Sequence, residues 1–318
     1  MSANPYLITG PAVISFSGGR TSAYMLRQIL DAHGGTLPDD VQVAFANTGK
    51  ERPETLRFVY DVQTQWGVPV NWIEWRAKPK QAEKRASLAA WLAENDPEGR
   101  FVHSDGFERV GFNSAARNGE PFAALIAMKQ RLPNWTERWC TEFLKVLPLF
   151  ALAESFGWAA GTYQEVIGLR ADEPMRVLRS YESAKFKWDR KTKQQVPRVP
   201  PRLVRFPLSL AKVEKADVMA FWRAQPFDLQ LQPHEGNCDL CFMKGKVLRK
   251  RLIRDVPGIA DWWNKQEIDR NKFFDRRDRV RSLIEEVRVS PEFFGETDDE
   301  EADAECGASC GGHLMAAE

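Results

Sequence analysis

No stretch of this 318-residue chain approaches the run of about 20 apolar residues that a membrane-spanning helix requires. The nearest candidate, Val146 to Ala160, is interrupted by Pro148 and Glu154, so no contact with a bilayer core is expected. The N-terminus lacks the succession of charged, apolar and small residues that marks an export signal. Cysteine is scarce and odd in number, at five. Without an export signal, five thiols do not make a disulfide scaffold, and a reducing cytoplasm is the expected compartment. The thiols read instead as ligands or reactive groups. An excess of one charge is missing too: 45 Lys and Arg against 44 Asp and Glu leave a net charge of +1. The molecule as a whole therefore exerts no pull on nucleic acid or membrane, and any such contact must come from a local patch.

What is present begins with Val13-Ile14-Ser15-Phe16-Ser17-Gly18-Gly19-Arg20-Thr21-Ser22. A short apolar run reads as a buried strand. It breaks at two glycines, and Ala23, Met25, Leu26, Ile29 and Leu30 continue at helical spacing. Strand, glycine turn and helix together build an anion site. Gly18 and Gly19 let backbone N–H groups come close to an anion. The hydroxyls of Ser17, Thr21 and Ser22, with Ser15 at the strand end, add donors, and the helix N-terminus adds partial positive charge. Arg20 offers two parallel bonds to phosphate or sulfate oxygens. The stretch is equally compatible with a ligand-free strand–helix turn. It resembles the PP-loop of the adenine nucleotide alpha-hydrolase superfamily, written Ser-Gly-Gly-(Lys/Arg)-x-Ser. Thr21 stands where many such enzymes carry Asp, and the pattern is not a Walker A loop.

Val41 to Ala46 and Val68 to Trp75 read as further strands, with helices from 21 to 32 and from Pro53 onward. Strands alternating with helices through short turns predict an α/β fold, a parallel doubly wound sheet of the adenine nucleotide alpha-hydrolase type. Ligands of such sheets sit beyond the carboxyl ends of the strands. The turn after the second strand, Asn47-Thr48-Gly49-Lys50-Glu51-Arg52-Pro53-Glu54-Thr55, falls there beside the glycine turn. It resembles the (Asp/Asn)-Thr-Gly-x-Glu-x-Pro-Glu-Thr signature of the phosphoadenosine phosphosulfate (PAPS) reductase family. The resemblance covers most of residues 11 to 245 and implies that Asn47, Thr48, Gly49 and Glu51 line the nucleotide site.

Residues 99 to 120, with four glycines and few periodic apolar positions, read as a loop that could cover the nucleotide; His103 within it is a weak candidate base. The segment Arg138-Trp139-Cys140-Thr141-Glu142-Phe143-Leu144-Lys145-Val146-Leu147-Pro148-Leu149 resembles the Arg-x-Cys-Cys-x-x-x-Lys-x-x-Pro-Leu segment of cluster-bearing sulfonucleotide reductases, with Thr141 in place of the second cysteine. It implies that Lys145 faces the nucleotide or the cluster edge. Gly168-Leu169-Arg170-Ala171-Asp172-Glu173 is similar to a further family loop. There Arg170 would neutralise phosphate or sulfate oxygens, and Asp172 and Glu173 would hold Mg2+ or position arginines. Lys185 to Arg205 holds eight Lys or Arg residues. It reads either as a solvated loop or as a track for a polynucleotide, with Trp188 available for stacking.

Cys238-Asp239-Leu240-Cys241 puts two thiols on one turn, the bite of a metal, a cluster or a redox dithiol. Lys244, Lys246 and Arg249 to Arg251 follow and would favour thiolate. By the resemblance, Cys140 joins Cys238 and Cys241 around a 4Fe-4S cluster. Zinc held by Cys140, His234, Cys238 and Cys241 is the competing chemistry. The tail Glu305-Cys306-Gly307-Ala308-Ser309-Cys310-Gly311-Gly312-His313 partly matches the Glu-Cys-Gly-x-His end of PAPS reductases, whose thiolate attacks sulfate sulfur. Cys306 is accordingly a candidate nucleophile beside Lys145.

Three regions are expected: a PP-loop α/β domain over 1–212, a helical region with the cysteine turn over 213–295, and an acidic Cys-Gly tail over 296–318. The expected activity is sulfur reduction or transfer on ATP or a sulfonucleotide (PAPS or APS), with Mg2+ as a companion. A nucleic acid acceptor or a thioredoxin-like reductant is the expected partner, and a homodimer the expected assembly. The open alternatives are adenylation and thiolation of a nucleic acid, and a non-catalytic nucleotide- or nucleic-acid-binding module stapled by zinc.

Overall fold

The computed structural model describes residues 4–189, 191–232, 235–236 and 238–290. The strand β1 (Ala12–Ser15) passes through the glycine turn into α1 (Arg20–Ala32); β2 (Val41–Asn47), α2 (Pro53–Gln65) and β3 (Val70–Trp75) repeat the unit. Two short helices, α3 (Pro79–Lys84) and α4 (Ala86–Asn95), lead to β4 (Phe107–Val110) and α5 (Glu120–Lys129). The single turn α6 (Trp139–Thr141) widens into a π-turn over Glu142–Val146 before α7 (Leu147–Ser155). Then come β5 (Gln164–Ile167), α8 (Pro174–Lys185), β6 (Phe186–Asp189), β7 (Gln194–Pro197) and β8 (Leu203–Arg205). The helices α9 (Pro207–Leu210), α10 (Lys215–Arg223), α11 (Lys246–Asp255), α12 (Asp261–Arg270) and α13 (Val280–Val289) follow.

Six strands form one sheet in the order β4-β3-β2-β1-β5-β8. Every neighbouring pair is parallel except β3 with β4. The chain leaves β1 toward β2 and β3 and returns on its other side with β5, so the strand order reverses at β1. In an open α/β sheet, that reversal opens a crevice beyond the carboxyl ends of the strands.

Strand alternation divides the core between the two faces of the sheet. Ala12, Ile14, Phe16, Val43 and Phe45 pack with α1, α2 and Trp222 of α10. Val13, Ala44, Ala46 and Ile73 pack against Leu149, Leu152 and Ala153 of α7. The helix α10, assigned from the sequence to the helical region, thus joins the core of the sheet. A third cluster gathers Phe122 and Leu125 of α5 with Leu240, Phe242, Leu252, Trp263 and Phe274. The expected helical stretch 257–289 is two helices. Asn271 ends α12 at φ 48, and Glu267 closes the gap by accepting from the backbone N–H groups of Phe274 at 3.0 Å and Val280 at 3.1 Å.

Two expected loops are ordered strands. Residues 107–110 form an edge strand, where Phe107 reaches the core and Glu108 binds the buried Arg76. Alternation there was hidden by Glu108 and Arg109, which the edge position allows to remain charged. The basic run at 185–205 forms an antiparallel ribbon, β6 with β7, followed by β8 in the main sheet. Arg202 is anchored there by a bidentate pair with Glu165. No described helix is long and apolar enough to cross a membrane.

Candidate nucleotide and thiol site

The glycine turn lies where the strand order reverses. Gly18 adopts φ +79, and a Cβ on it would stand 2.7 Å from Thr55 Cγ2, so only glycine lets the turn sit this close to α2. Gly19 caps α1 with extended backbone, and among the described residues no side-chain capping hydrogen bond is made there. The hydroxyls shape the turn: the Ser17 N–H donates to Ser22 Oγ at 3.2 Å, and Ser22 Oγ donates to the Gly19 carbonyl at 3.1 Å. Ser15 is half-buried at the strand end. Arg20 is engaged elsewhere. Its Nε and Nη2 donate to both carboxylate oxygens of Asp228, at 2.7 and 2.5 Å, and its Nη1 donates to the Leu231 carbonyl at 2.9 Å. The residue read as a phosphate clamp therefore ties the start of α1 to the segment after α10.

The cation that does face the turn is Arg170, only 3% exposed, beyond β5. Its Nη1 donates to Thr21 Oγ1 at 3.0 Å and its Nε to Asp172 Oδ1 at 2.9 Å. Gly168 makes this approach possible, since a Cβ there would lie 3.2 Å from Ser22 Cα. Glu173 accepts from the Arg170 backbone N–H at 3.0 Å and pairs with Arg176, so the acids of this loop position arginines. Arg170 thus meets the neutral Thr21 hydroxyl with one nitrogen and the Asp172 carboxylate with another.

The second turn joins the first to the thiols. Asn47 Oδ1 accepts from the Gly49 N–H at 3.1 Å, while its Nδ2 donates to Glu74 Oε1 at 2.7 Å and to the Ala116 carbonyl at 2.9 Å. Asn47 thereby holds the turn in shape. Beyond it, Glu51 pairs with Cys238 in an isolated β-bridge, and the Asp239 N–H donates to the Lys50 carbonyl at 2.8 Å. Thr48 Oγ1 stands 3.5 Å from Cys238 Sγ. Lys145 Nζ lies 3.3 Å from Glu51 Oε1, and Lys50 Nζ lies 2.8 Å from Asp239 Oδ2. Thr48, Glu51, Lys145 and Cys238 thus form one buried polar cluster. Glu51 Oε2 within it has no hydrogen-bond partner among the described residues.

Burial, and then the nearby Glu51 carboxylate, push the Cys238 thiol well above its ordinary value, while Lys145 and the Thr48 hydrogen bond pull it down. Burial lowers Lys244, against the opposing pull of Cys241 and Cys238. Its Nζ donates to the Gly236 carbonyl at 2.6 Å, closing the cysteine turn. Cys140, on α6, packs against the same apolar cluster as Cys238. Among the described residues, no group of three or more His, Cys, Asp or Glu side chains is gathered as a metal site. The described ligand set is thus incomplete for a cluster or for zinc. The other donors named from the sequence, His234, Cys306, Cys310 and His313, lie outside the described residues. His103 is on the surface, its Nδ1 accepting from the Asp105 N–H at 3.2 Å.

Sequence reasoning missed Glu74, Arg76, Lys50, Asp239 and Asp228. Glu74 and Arg76, each 1% exposed, pair at 2.9 Å beyond the apolar part of β3. Their signal was available: two opposite charges where a buried strand reaches its carboxyl end. Asp228 carried no local signal, being 208 residues from Arg20.

No family model matches the chain. It is 29% identical over 253 residues, 80% of its own length and 73% of the relative's, to the "Uncharacterized nin region protein ORF290" of Escherichia phage lambda. Among solved structures, a PAPS reductase from Candida auris, in a phosphate complex, matches at a TM-score of 0.32 and 14% identity. That match covers 69% of this chain and 76% of the other, and at this level it carries no argument about function.

Proposed function

We propose that this chain is an adenine-nucleotide-dependent enzyme of sulfur chemistry, similar in kind to the PAPS reductase family. The supporting observation is the pairing of four segments beyond the carboxyl ends of the strands. Arg170 meets the glycine turn at Thr21, and Glu51 of the second turn bridges to Cys238. An anionic ligand at the start of α1, where no side chain makes a capping hydrogen bond among the described residues, would have a buried arginine on one side and a thiol-bearing turn beyond.

In this reading, backbone N–H groups at Gly18 and Gly19 and the hydroxyl of Thr21 bind phosphate oxygens, and Arg170 balances their charge. Asn47, Thr48 and Gly49 shape the second wall. Lys145 and Glu51 share a proton-competent contact beside Cys238 and hold charge as a sulfur atom is attacked or released. With ATP, attack by an acceptor on the α-phosphate would release pyrophosphate, and sulfur would then displace AMP. With a sulfonucleotide, attack by a thiolate on sulfur would release the adenosine phosphate and lead to sulfite after reduction. An iron–sulfur cluster on Cys140, Cys238 and Cys241 would supply a sulfur-holding or electron-buffering site.

Thermal unfolding with ATP, PAPS and AMP tests the binding, since a ligand selective for the native state raises Tm. Release of pyrophosphate from ATP, or sulfite from PAPS, tests the chemistry. A raised Tm with neither product would favour a binding module. No shift with any nucleotide would overturn the proposal.

A further inference from the structure

The basic run between 185 and 205 has no part in the site above. It concentrates eight Lys or Arg against a single acid, Asp189, in a chain whose net charge is only +1. The ribbon formed by β6 and β7 displays Lys187, Lys191 and Lys193 as exposed side chains, with Lys185 exposed at the end of α8. Arg198 pins the base of the ribbon to α8, its Nε donating to the Ser183 carbonyl at 2.8 Å and the Phe186 carbonyl at 3.1 Å. The described part of the ribbon is therefore a cationic edge held at its base.

Beside it lies a cavity of about 240 Å³ whose walls include Phe150, Trp158, Tyr163, Lys187, Arg198 and Arg202. Glu154 and Glu165 also line it; Glu165 is neutralised by its pair with Arg202, whose guanidinium also lies 5.1 Å from the Phe150 ring centroid. The space is below the 300–1,000 Å³ usual for drug-sized ligands and suits a single flat ring system. Flat aromatic walls beside lysines match the two halves of a nucleotide unit, base and phosphate. Trp188 was the expected stacking residue, but strand alternation puts it on the opposite face of the ribbon from Lys187.

One helix joins the ribbon to the candidate centre. The helix α8 starts directly after Glu173 of the Arg170 loop and ends at the ribbon, and its 12 residues span about 18 Å. We propose that the β6–β7 ribbon and the Trp158 slot bind single-stranded nucleic acid, anchoring it while a position a few nucleotides away reaches the Arg170 loop. Naming nucleic acid as the acceptor class rests on the proposed function; the binding surface itself does not.

The test is fluorescence anisotropy of labelled 12-nucleotide single-stranded RNA and DNA, without added nucleotide, over a salt series. Binding that weakens steeply with salt is expected. The Lys187→Glu, Lys191→Glu, Lys193→Glu triple variant should bind at least about tenfold more weakly, and neutralising three phosphate contacts fewer should flatten the log–log salt slope by about 2. Trp158→Ala, which leaves the ribbon charge intact, should lose about tenfold with little change in slope. The nucleotide-induced Tm shift should persist in both variants and reports that they are folded. Should the triple variant not fold, Trp158→Ala carries the test alone. RNA bound more tightly than DNA, or the reverse, identifies the natural strand. Absence of oligonucleotide binding, or binding undiminished in the folded variants, overturns the inference. If oligonucleotide binding fails while the nucleotide shift remains, only this inference falls. If the reverse holds, it is the proposed function that falls.

Discussion

Arg170 donates to the hydroxyl of Thr21 at 3.0 Å, joining loops 149 residues apart at the strand-order reversal. Asp172 and Glu173 hold the arginine in place, but the group it presents to is neutral. Replacing Thr21 by Asp should add a second carboxylate to the Asp172 that Arg170 already binds and set a negative charge where phosphate is expected. We expect Thr21→Asp to weaken ATP or PAPS binding by about tenfold or more, as charge-assisted bonds outweigh neutral ones. Thr21→Ser should bind nearly as the parent does. Calorimetric titration checks both, and equal affinity in Thr21→Asp would detach this arginine from the nucleotide.

Arg20 and Asp228 make a second long-range tie, and its pH dependence has a definite sign. Burial, the largest single influence, pushes the Asp228 carboxyl up, but the Arg20 hydrogen bond and charge together with the backbone N–H groups of Leu229 and Gln230 outweigh it and leave the group below its ordinary 3.8. A carboxylate depressed in the folded state stabilises it above the unfolded value and loses that contribution as pH falls through the folded value. The difference in denaturant midpoint between the parent and Asp228→Asn should therefore be full at neutral pH and shrink below about 3.8. A difference that grows on acidification would contradict the tie. Half-exposed as Asp228 is, the effect will be modest and weaker in high salt.

Gly119 occupies φ +85 at the start of α5, and a Cβ there would stand 2.5 Å from Trp262 Nε1. The indole cannot swing away freely, because it packs on Phe122 and lies under Lys50 Nζ, 5.2 Å from the ring centroid. Gly119→Ala combines a left-handed backbone with overpacking and should destabilise by about 1–3 kcal/mol. Urea unfolding measures this. The Gly35→Ala change, at φ +95 with open space around it, isolates the backbone contribution and should cost less.

Most of the sheet was legible because its strands obey simple rules. Val41 to Ala46 is an apolar run too short for a helix, and Pro53 marks the start of α2. The two turns were legible because glycines at φ +79 and +77 leave residue-level signatures. What stayed hidden was held by long-range pairing. Nothing near Arg20 announces Asp228, and in the ribbon at 186–197 the alternation of Phe186-Lys187-Trp188-Asp189 is cut short by a charged turn and the polar Gln194-Gln195. Most of its residues are exposed, so little of a core face is left to extend that pattern.

Arg76 and Glu74 are buried at 1% each, with Glu108 completing the arginine's contacts. Arg76→Met keeps much of the volume but strands the Glu74 charge, which also holds Asn47 and the Ala116 N–H. Removing one partner of a buried pair costs about 3–5 kcal/mol. The double change Arg76→Met with Glu74→Gln should recover part of that loss while retaining a hydrogen-bond acceptor for Asn47. A single variant as stable as the parent would contradict the stabilising role of this buried pair.

The thiol turn sets the last prediction. Cys238 is held against Thr48 and Glu51 in a site where burial opposes the thiolate. A metal or cluster requires deprotonated thiols, so occupancy would have to supply the energy that burial withholds. Protein purified without oxygen should be brown and carry iron, with the colour lost in Cys238→Ala and Cys241→Ala. Cys140→Ala tests the third thiol, which the described residues do not bring into a three-ligand group. If the colour survives that change, Cys140 is a packing residue and the ligand set lies elsewhere. Stoichiometric zinc in a colourless protein would replace the cluster by a closed zinc site. Protein free of both metals, but with two thiols that oxidise reversibly as a pair, would make the Cys238–Cys241 turn a redox dithiol.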